Sequence, residues 1–169
     1  YQWPTVTAFT YDDNEHSIEL TGSNAQVESI SYTGNKATYV GTYTAEAVFT
    51  LKDADNYEID VTTKPGTATL TITPAKRTLT SSTAETPAPL TKDGRTLDLA
   101  NLVTTNTGEK SALTFACTEL HGCELSGSIL KSGATYGVTL AITVSAGAVD
   151  VNNDGTHEYT AADDLTIYV

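Results

Sequence analysis

Hydrophobic and polar residues alternate along much of this chain. The clearest run is residues 41–51, where one face collects apolar side chains and the other polar ones, with Val48 as the exception. The apolar face carries Tyr43, Ala45, Ala47, Phe49 and Leu51, and the polar face carries Thr42, Thr44, Glu46 and Thr50. A period of two is typical of a strand with one face in the core and one in water. The pattern therefore predicts antiparallel β-structure rather than helices.

Short strands recur through the sequence, separated by turn clusters such as Asp12-Asp13-Asn14, Gly34-Asn35 and Pro65-Gly66. Regularly spaced short strands with such turns are typical of an antiparallel sandwich. The predicted strands are Thr5–Phe9, Ser17–Leu20, Val27–Tyr32, Thr42–Leu51, Tyr57–Val61, Thr67–Thr73, Arg77–Ser81, Thr96–Val103, Ala112–Cys117, Ser128–Leu130, Thr135–Ser145 and Asp164–Val169.

The chain is expected to divide near Thr73-Pro74-Ala75-Lys76, because Pro74 cannot donate a hydrogen bond to a sheet. The predicted domains are residues 1–76 and 77–169. The two halves also read as a diverged repeat, since motifs of the first recur in order in the second. The matched pairs are Gly41-Thr42-Tyr43 with Ala134-Thr135-Tyr136, Asn56-Tyr57 with Glu158-Tyr159, and Leu70-Thr71-Ile72 with Leu165-Thr166-Ile167.

A resemblance to a known group of repeats rests on motifs of the first half. These are Phe9-Thr10-Tyr11-Asp12-Asp13-Asn14-Glu15-His16, Gly41-Thr42-Tyr43, Asp55-Asn56-Tyr57 and the stretch from Leu70 to Lys76. They resemble the bacterial immunoglobulin-like repeats found in tandem in long surface-attached or secreted proteins. Where that group writes Gly in its first motif, this chain has Asp13. The resemblance implies two immunoglobulin-like β-sandwiches in tandem, an extracellular or cell-surface bacterial location, and no common catalytic site.

Charge excludes some classes of partner. The 169 residues carry 9 Lys and Arg against 21 Asp and Glu, for a net charge of −12. Such a chain lacks the cations that neutralise nucleic-acid phosphates or anionic lipids, so we expect it to bind neither nucleic acid nor an anionic membrane surface. No apolar run approaches the roughly 20 residues of a membrane span, so we expect no membrane insertion. The sequence contains no Met, and we expect it to be a segment of a longer protein.

Two cysteines, Cys117 and Cys123, flank a short stretch that is predicted to turn. An extracellular protein can oxidise such a pair, and we predict a disulfide between them. Unpaired thiols are the alternative. A zinc site with His121 is a further alternative, although no fourth ligand is evident.

The segment from Asp150 to Glu158 begins like a calcium-binding loop, with the pattern D-x-N-x-D-G. It also resembles the start of a dockerin repeat. The candidate ligands are Asp150, Asn152, Asp154, the Thr156 carbonyl and Glu158. Position 12 of the loop is Ala161, where a bidentate acid belongs, so we expect a dissociation constant no tighter than about 10⁻⁴ M. A polar hairpin loop that binds no ion is the other interpretation, and we expect no cofactor other than this possible calcium ion.

The sequence predicts no enzymatic activity, because no nucleophile–base pair or cofactor fingerprint is present. The pair Glu15 and His16 is interpreted as part of a strand edge. Trp3 and the many tyrosines are interpreted as core and cross-strand pairs, with a sugar-stacking patch as the alternative. We expect a monomeric spacer whose partners are neighbouring repeats of the same polypeptide. The alternatives are an adhesin-type module for a glycan or host protein, and an accessory domain of a secreted carbohydrate-active enzyme.

Overall fold

The computed structural model describes residues 1–90, 95–107, 110, 112–133 and 137–169. Within them the chain is all-β, with only two short 3₁₀ turns. It divides into two compact units. The first unit contains Tyr1–Ala75 and Asp150–Glu158, and the second contains Lys76–Val149 and Tyr159–Val169. A loop from late in the sequence therefore belongs to the first unit.

The first unit is built on a four-stranded sheet in the order β1-β6-β5-β3, with a small β2-β4 ribbon. Strands β1 and β6 are parallel, whereas β5 pairs antiparallel with both β6 and β3. These strands are β1 (Ala8–Thr10), β2 (His16–Ser17), β3 (Val27–Thr33), β4 (Lys36–Ala37), β5 (Gly41–Leu51) and β6 (Ala68–Thr73).

The alternation predicted for residues 41–51 is confirmed along β5. The side chains of the predicted apolar face are buried or half-buried, and those of the other face are exposed, including Val48. Ala45 and Ala47 lie at the centre of the buried face. On the neighbouring strand Leu70 and Ile72 are buried as well. The core of the first unit thus combines alanines with a few larger aliphatic side chains.

Glycine is required at the turn between β3 and β4. Gly34 has φ of 64°, a backbone conformation that L side chains rarely adopt. A Cβ atom added there would lie 2.1 Å from the Thr44 carbonyl oxygen. The next residue, Asn35, is buried, and its amide donates to the Ile18 carbonyl oxygen at 3.0 Å. This turn therefore fixes the chain against both β5 and the segment after β2.

The second unit contains two three-stranded sheets, β11-β14-β16 and β12-β13-β9, and a β10-β8 ribbon. All of these pairs are antiparallel. The strands are β7 (Ala75–Lys76), which starts at the boundary between the units, β8 (Leu79–Thr80), β9 (Thr96–Asp98), β10 (Thr104–Thr105), β11 (Leu113–Ala116), β12 (Glu124–Ser126), β13 (Ile129–Lys131), β14 (Ala141–Ala146), β15 (Tyr159–Thr160) and β16 (Leu165–Tyr168).

Both three-stranded sheets contribute to one hydrophobic cluster. Leu130 comes from β13, Ile142 and Val144 from β14, and Ile167 from β16, and all four are fully buried. Leu99, Val103, Leu140 and Val169 complete the cluster. Two sheets that share a core between them are compatible with a β-sandwich.

Several predicted strands are wrong in part, and one is wrong in whole. The strand predicted at residues 5–9 is observed only from Ala8, and the one predicted at residues 17–20 only at Ser17. Residues 57–61 form no strand, because Asp60 accepts hydrogen bonds from the backbone N–H and the hydroxyl of Thr62 and starts a turn. The prediction for residues 96–103 holds only to Asp98, whose side chain caps a 3₁₀ turn at Leu99–Leu102 by accepting from the Ala100 N–H. A short Asp side chain redirects the backbone in both places.

Two expectations extend beyond the described residues. The predicted strand at residues 135–145 begins outside them; residues 137–140 are described and form no strand, and the observed strand is β14. The motif at residues 134–136, proposed as the echo of Gly41-Thr42-Tyr43, also lies outside them.

Candidate metal centre

The Asp150–Glu158 loop follows β14 and ends directly before β15. Its base is closed by two backbone hydrogen bonds between Val149 and Tyr159, at 3.0 and 3.2 Å. Within the first unit, the Glu158 carbonyl oxygen accepts from the Ala75 N–H at 2.9 Å. The last residue of the loop, Glu158, is therefore hydrogen-bonded to Ala75, which ends the Tyr1–Ala75 segment of the first unit.

Aspartate side chains shape the start of the loop. The two carboxylate oxygens of Asp150 accept from the backbone N–H groups of Asp154, at 3.2 Å, and Gly155, at 2.8 Å. Asp154 in turn accepts from the Thr156 N–H at 2.7 Å. Asn153 and Gly155 have φ of 58° and 90°, so the chain turns sharply at both. The Asn, Asp and Gly residues fold this way because short polar side chains satisfy the N–H groups of a tight turn.

Glu158 closes the loop from the other side and is fully buried. Its Oε2 accepts from the Val151 N–H at 2.6 Å. Its Oε1 is also buried, and has no hydrogen-bond partner among the described residues. The same holds for Oδ1 of Asn152, although the amide nitrogen of that residue donates to Asp154 at 3.0 Å. Two oxygen atoms inside the loop thus lack the partner that buried polar atoms normally have.

Three carboxylates converge at this place. Oxygen atoms of Asp150, Asp154 and Glu158 all lie within 4.8 Å of one another. Two oxygens bound to a single calcium ion at about 2.3–2.6 Å can be at most about 5 Å apart, so the spacing suits one ion. The Thr156 N–H, followed by the Asn152 amide, lowers the pKa of Asp154 below its usual value, which keeps this carboxylate charged at neutral pH.

The predicted ligand set can be compared with this geometry residue by residue. Asp150, Asp154 and Glu158 come together, and Asn152 lies beside Asp154. Thr156 contacts the group through its N–H. No carboxylate beyond Glu158 joins the cluster among the described residues, and Asp163 instead pairs with Lys76 at 2.7 Å. What the sequence did not reveal is the burial of Glu158.

The predicted disulfide is wrong, because Cys117 and Cys123 are free thiols in this structure. The Cys117 thiol donates to the Glu119 carbonyl oxygen at 3.4 Å. Between the cysteines, His121 and Gly122 both have positive φ, and the two side chains line different cavities. The two sulfur atoms are therefore unbonded, although both cysteines pack against the hydrophobic cluster of the second unit. Nor do they form a metal-ligand cluster with His121 in the described part of the chain.

His16 pairs with a different acid from the one the sequence suggested. Its Nε2 lies 2.8 Å from Asp12, and its ring stacks on Phe9 with centroids 4.5 Å apart. Glu15 lies instead 3.9 Å from the ammonium group of Lys36. The N–H of Asn14 and then the hydrogen bond from His16 lower the pKa of Asp12. The imidazole is held by two neighbours on the surface of the first unit.

Aromatic side chains of the first unit form edge-to-face pairs. Trp3 contacts Tyr32 with centroids 5.9 Å apart, and Tyr1 contacts Phe49 at 5.1 Å. The indole N–H of Trp3 donates to the Gly66 carbonyl oxygen at 2.6 Å. These rings therefore serve the packing of the unit. One open cavity of about 350 Å³ lies beside them and is lined by Tyr1, Phe49, Leu51, Tyr57, Ile59 and Lys64 among others.

None of the helical segments in the described residues is long and apolar enough to cross a membrane. Comparison of the chain with protein-family models, with curated proteins and with solved structures gave no match.

Proposed function

We propose that this chain is a non-catalytic structural segment of a bacterial cell-surface or secreted protein, built from two immunoglobulin-like domains in tandem. The domains are residues 1–76 and 77–169, with the 150–158 loop of the second half packed in the first unit. Their neighbours are further repeats of the same polypeptide, and the segment acts as a monomeric spacer that holds a distal module away from the cell.

One observation carries this proposal. The chain divides into two compact β-units, and each buries its own apolar side chains. A similar antiparallel strand pair occurs in both units, β5 with β6 in the first and β14 with β16 in the second. Repetition of self-contained β-units is how extended proteins gain length without enlarging a single core.

The surface composition supports the same role. The outer face of β5 is exposed and carries three threonines and a glutamate. The whole chain has a net charge of −12. Like charge keeps neighbouring molecules apart and solvated, as a protein displayed at high density on a surface requires.

Single-molecule extension and a binding panel together test the proposal. Pulled from its ends, a spacer of two folded units is expected to unfold in two separate steps. The isolated chain is also expected to bind no glycan or host matrix protein saturably and to turn over no polysaccharide or peptide. One all-or-none unfolding step would contradict the tandem arrangement, and saturable binding or turnover would contradict the spacer role.

The cavity of the first unit favours a second candidate, an adhesin-type binding module. Its size falls in the range of small-ligand pockets. Tyr57 and Ile59, which line it, are exposed by 49 % and 37 %. Lys64 and Asp60 line the same cavity and supply charged groups beside the aromatic ring. An aromatic ring flanked by polar groups is suited to stacking against a sugar.

A matched pair of variants separates the two candidates. If this cavity binds oligosaccharides, Tyr57→Ala is expected to abolish a saturable calorimetric signal. Tyr39→Ala is the control, because Tyr39 is exposed by 39 % but does not line this cavity. Absence of a signal in the wild type across an oligosaccharide panel, or equal loss in both variants, would reject the cavity as a sugar site.

A further inference from the structure

We propose that the Asp150–Glu158 loop is a calcium-binding site of the first unit, in which Glu158 supplies the closing carboxylate. In the calcium-loop pattern that this segment resembles, the closing carboxylate stands at position 12, which is Ala161 in this chain. The proposal is independent of the spacer role, since a calcium site serves a stalk and a binding module equally.

The environment of Glu158 favours a bound cation. Its side chain is fully buried, one carboxylate oxygen accepts from Val151, and the other has no hydrogen-bond partner among the described residues. Burying a carboxylate oxygen without a partner costs free energy, and buried charges in proteins are paired or coordinate metals. A cation between Glu158 and the two aspartates removes that cost.

The two aspartates of the cluster are already held in place by backbone N–H groups. Asp150 is fixed by the N–H groups of Asp154 and Gly155, and Asp154 by the N–H of Thr156. The cluster therefore needs little reorganisation when an ion enters. The unpartnered buried oxygen of Asn152 adds a neutral donor within the same turn. Preorganised ligands raise affinity because less conformational freedom is lost on binding.

The donor atoms select the kind of ion. The cluster offers carboxylate and amide oxygens only, which suit hard cations and not zinc or copper. Calcium accepts six to eight oxygens in irregular geometry, whereas magnesium demands a near-ideal octahedron at about 2.0–2.1 Å. Side chains of Asp150, Asn152, Asp154 and Glu158, with the Thr156 carbonyl and water, can reach the number that calcium needs. We infer calcium on these grounds.

Calorimetric titration of the calcium-free chain tests the proposal directly. We expect one calcium ion per chain with a dissociation constant near 10⁻⁴ M, a value typical of extracellular modules, and much weaker binding of magnesium. Glu158→Gln keeps the shape and an acceptor for the Val151 N–H but removes the charge, and we expect it to weaken calcium binding by about tenfold or more. Asp55→Asn makes the same change in charge at an exposed acidic turn outside the cluster, and we expect no effect.

Thermal melting distinguishes a calcium ligand from a merely structural glutamate. With chelator present, Glu158→Gln is expected to melt at or above the wild-type temperature, because the unpaired buried charge is gone. With calcium present, the wild type is expected to gain several degrees and the variant none. A structural role would predict the reverse, a lower melting temperature in chelator and no calcium response in either protein.

Three results would each overturn the calcium proposal. Absence of saturable calcium binding by the wild type up to about 10 mM overturns it. So does an unchanged affinity in Glu158→Gln, or equal loss of binding in Asp55→Asn. Should Glu158→Gln fail to fold, Asp150→Asn replaces it. That variant keeps one acceptor oxygen for the turn and is expected to lose calcium binding in the same way.

Discussion

The two units bury apolar surface with different side chains. In the first, the centre of the longest strand presents Ala45 and Ala47, and a buried Asn35 ties a turn to the segment after β2. In the second, two sheets enclose a cluster made of Leu, Ile and Val alone. Small side chains let strands and turns approach closely, whereas branched ones fill the space between two layers. The first unit should therefore be more sensitive to added atoms, and the second to removed ones.

The largest effect is expected from truncating the cluster of the second unit. Ile142 is fully buried on β14, so Ile142→Ala removes most of a core side chain and leaves a cavity. We expect a loss of about 3–4 kcal/mol in the free energy of unfolding, measured by denaturant titration. Ile142→Val, which deletes one methyl group, should cost only about 1 kcal/mol. Equal effects of the two variants would show that the cluster is loosely packed.

Adding one methyl group at Gly34 should be nearly as harmful to the first unit. Gly34→Ala places a Cβ 2.1 Å from the Thr44 carbonyl oxygen at a residue with φ of 64°. We expect a loss of about 2–3 kcal/mol, from steric overlap and the cost of a left-handed conformation. Gly66→Ala is the control, since no atom lies within 4 Å of its added Cβ, and it should be close to neutral. A neutral Gly34→Ala would contradict the close approach of the two backbones.

Overpacking of the alanine face should have an intermediate effect. Ala45 is fully buried, and Ala45→Val adds two methyl groups where β5 pairs with β6. We expect a loss of about 1–2 kcal/mol, with faster hydrogen exchange of the β5 and β6 amides than of those in β14. The exposed position Thr44 on the same strand is the control, and Thr44→Val should change stability little. An Ala45→Val variant more stable than the wild type would show an unfilled space at this face.

Acid should weaken the first unit before the second. Among the described acids, Asp12, Asp60 and Asp154 have a lowered pKa, and all three belong to the first unit. Hydrogen bonds lower these pKa values. The main donor is the Asn14 N–H for Asp12, the Thr62 hydroxyl for Asp60 and the Thr156 N–H for Asp154. A carboxyl group with a lower pKa in the folded state stabilises the fold above its unfolded value, near 3.8, and loses this as the pH falls through the folded pKa.

Hydrogen exchange measured at pH 6 and at pH 3 checks this expectation. Protection should fall more at turn amides of the first unit, such as Asn14 and Thr62, than at those of β14. Asp12→Asn should make the Asn14 amide less dependent on pH while leaving Thr62 unchanged. Equal loss of protection in both units would show that these hydrogen bonds do not set the acid response.

Much of the first unit was predictable because alternation is a local property of a strand. The predicted faces of residues 41–51 are confirmed, and the turn at Gly34-Asn35 lies where its residue types place it. The strand predicted at residues 57–61 is wrong because the Asp60 carboxylate, which accepts from the N–H and the hydroxyl of Thr62, outweighs the preference of Tyr, Ile and Val for strands. Strand propensity is judged over several neighbouring residues, whereas one side-chain hydrogen bond can redirect the backbone at a single residue.

In the Asp150–Glu158 loop, too, some features are set by neighbouring residues and others by residues far away in sequence. The pattern from Asp150 to Gly155 determined a tight polar turn, since its hydrogen bonds join residues at most five apart. The burial of Glu158 and the membership of the loop in the first unit are not local properties, and the hydrogen bond from the Ala75 N–H to the Glu158 carbonyl oxygen joins residues far apart in sequence. Cys117 and Cys123 likewise flank a turn, as the sequence predicts, yet they are unbonded and line different cavities. The sequence by itself determined the alternating faces of β5 and the types of ligand in the loop. Tertiary packing decided which carboxylate was buried with one oxygen lacking a partner, because burial depends on the whole surrounding chain.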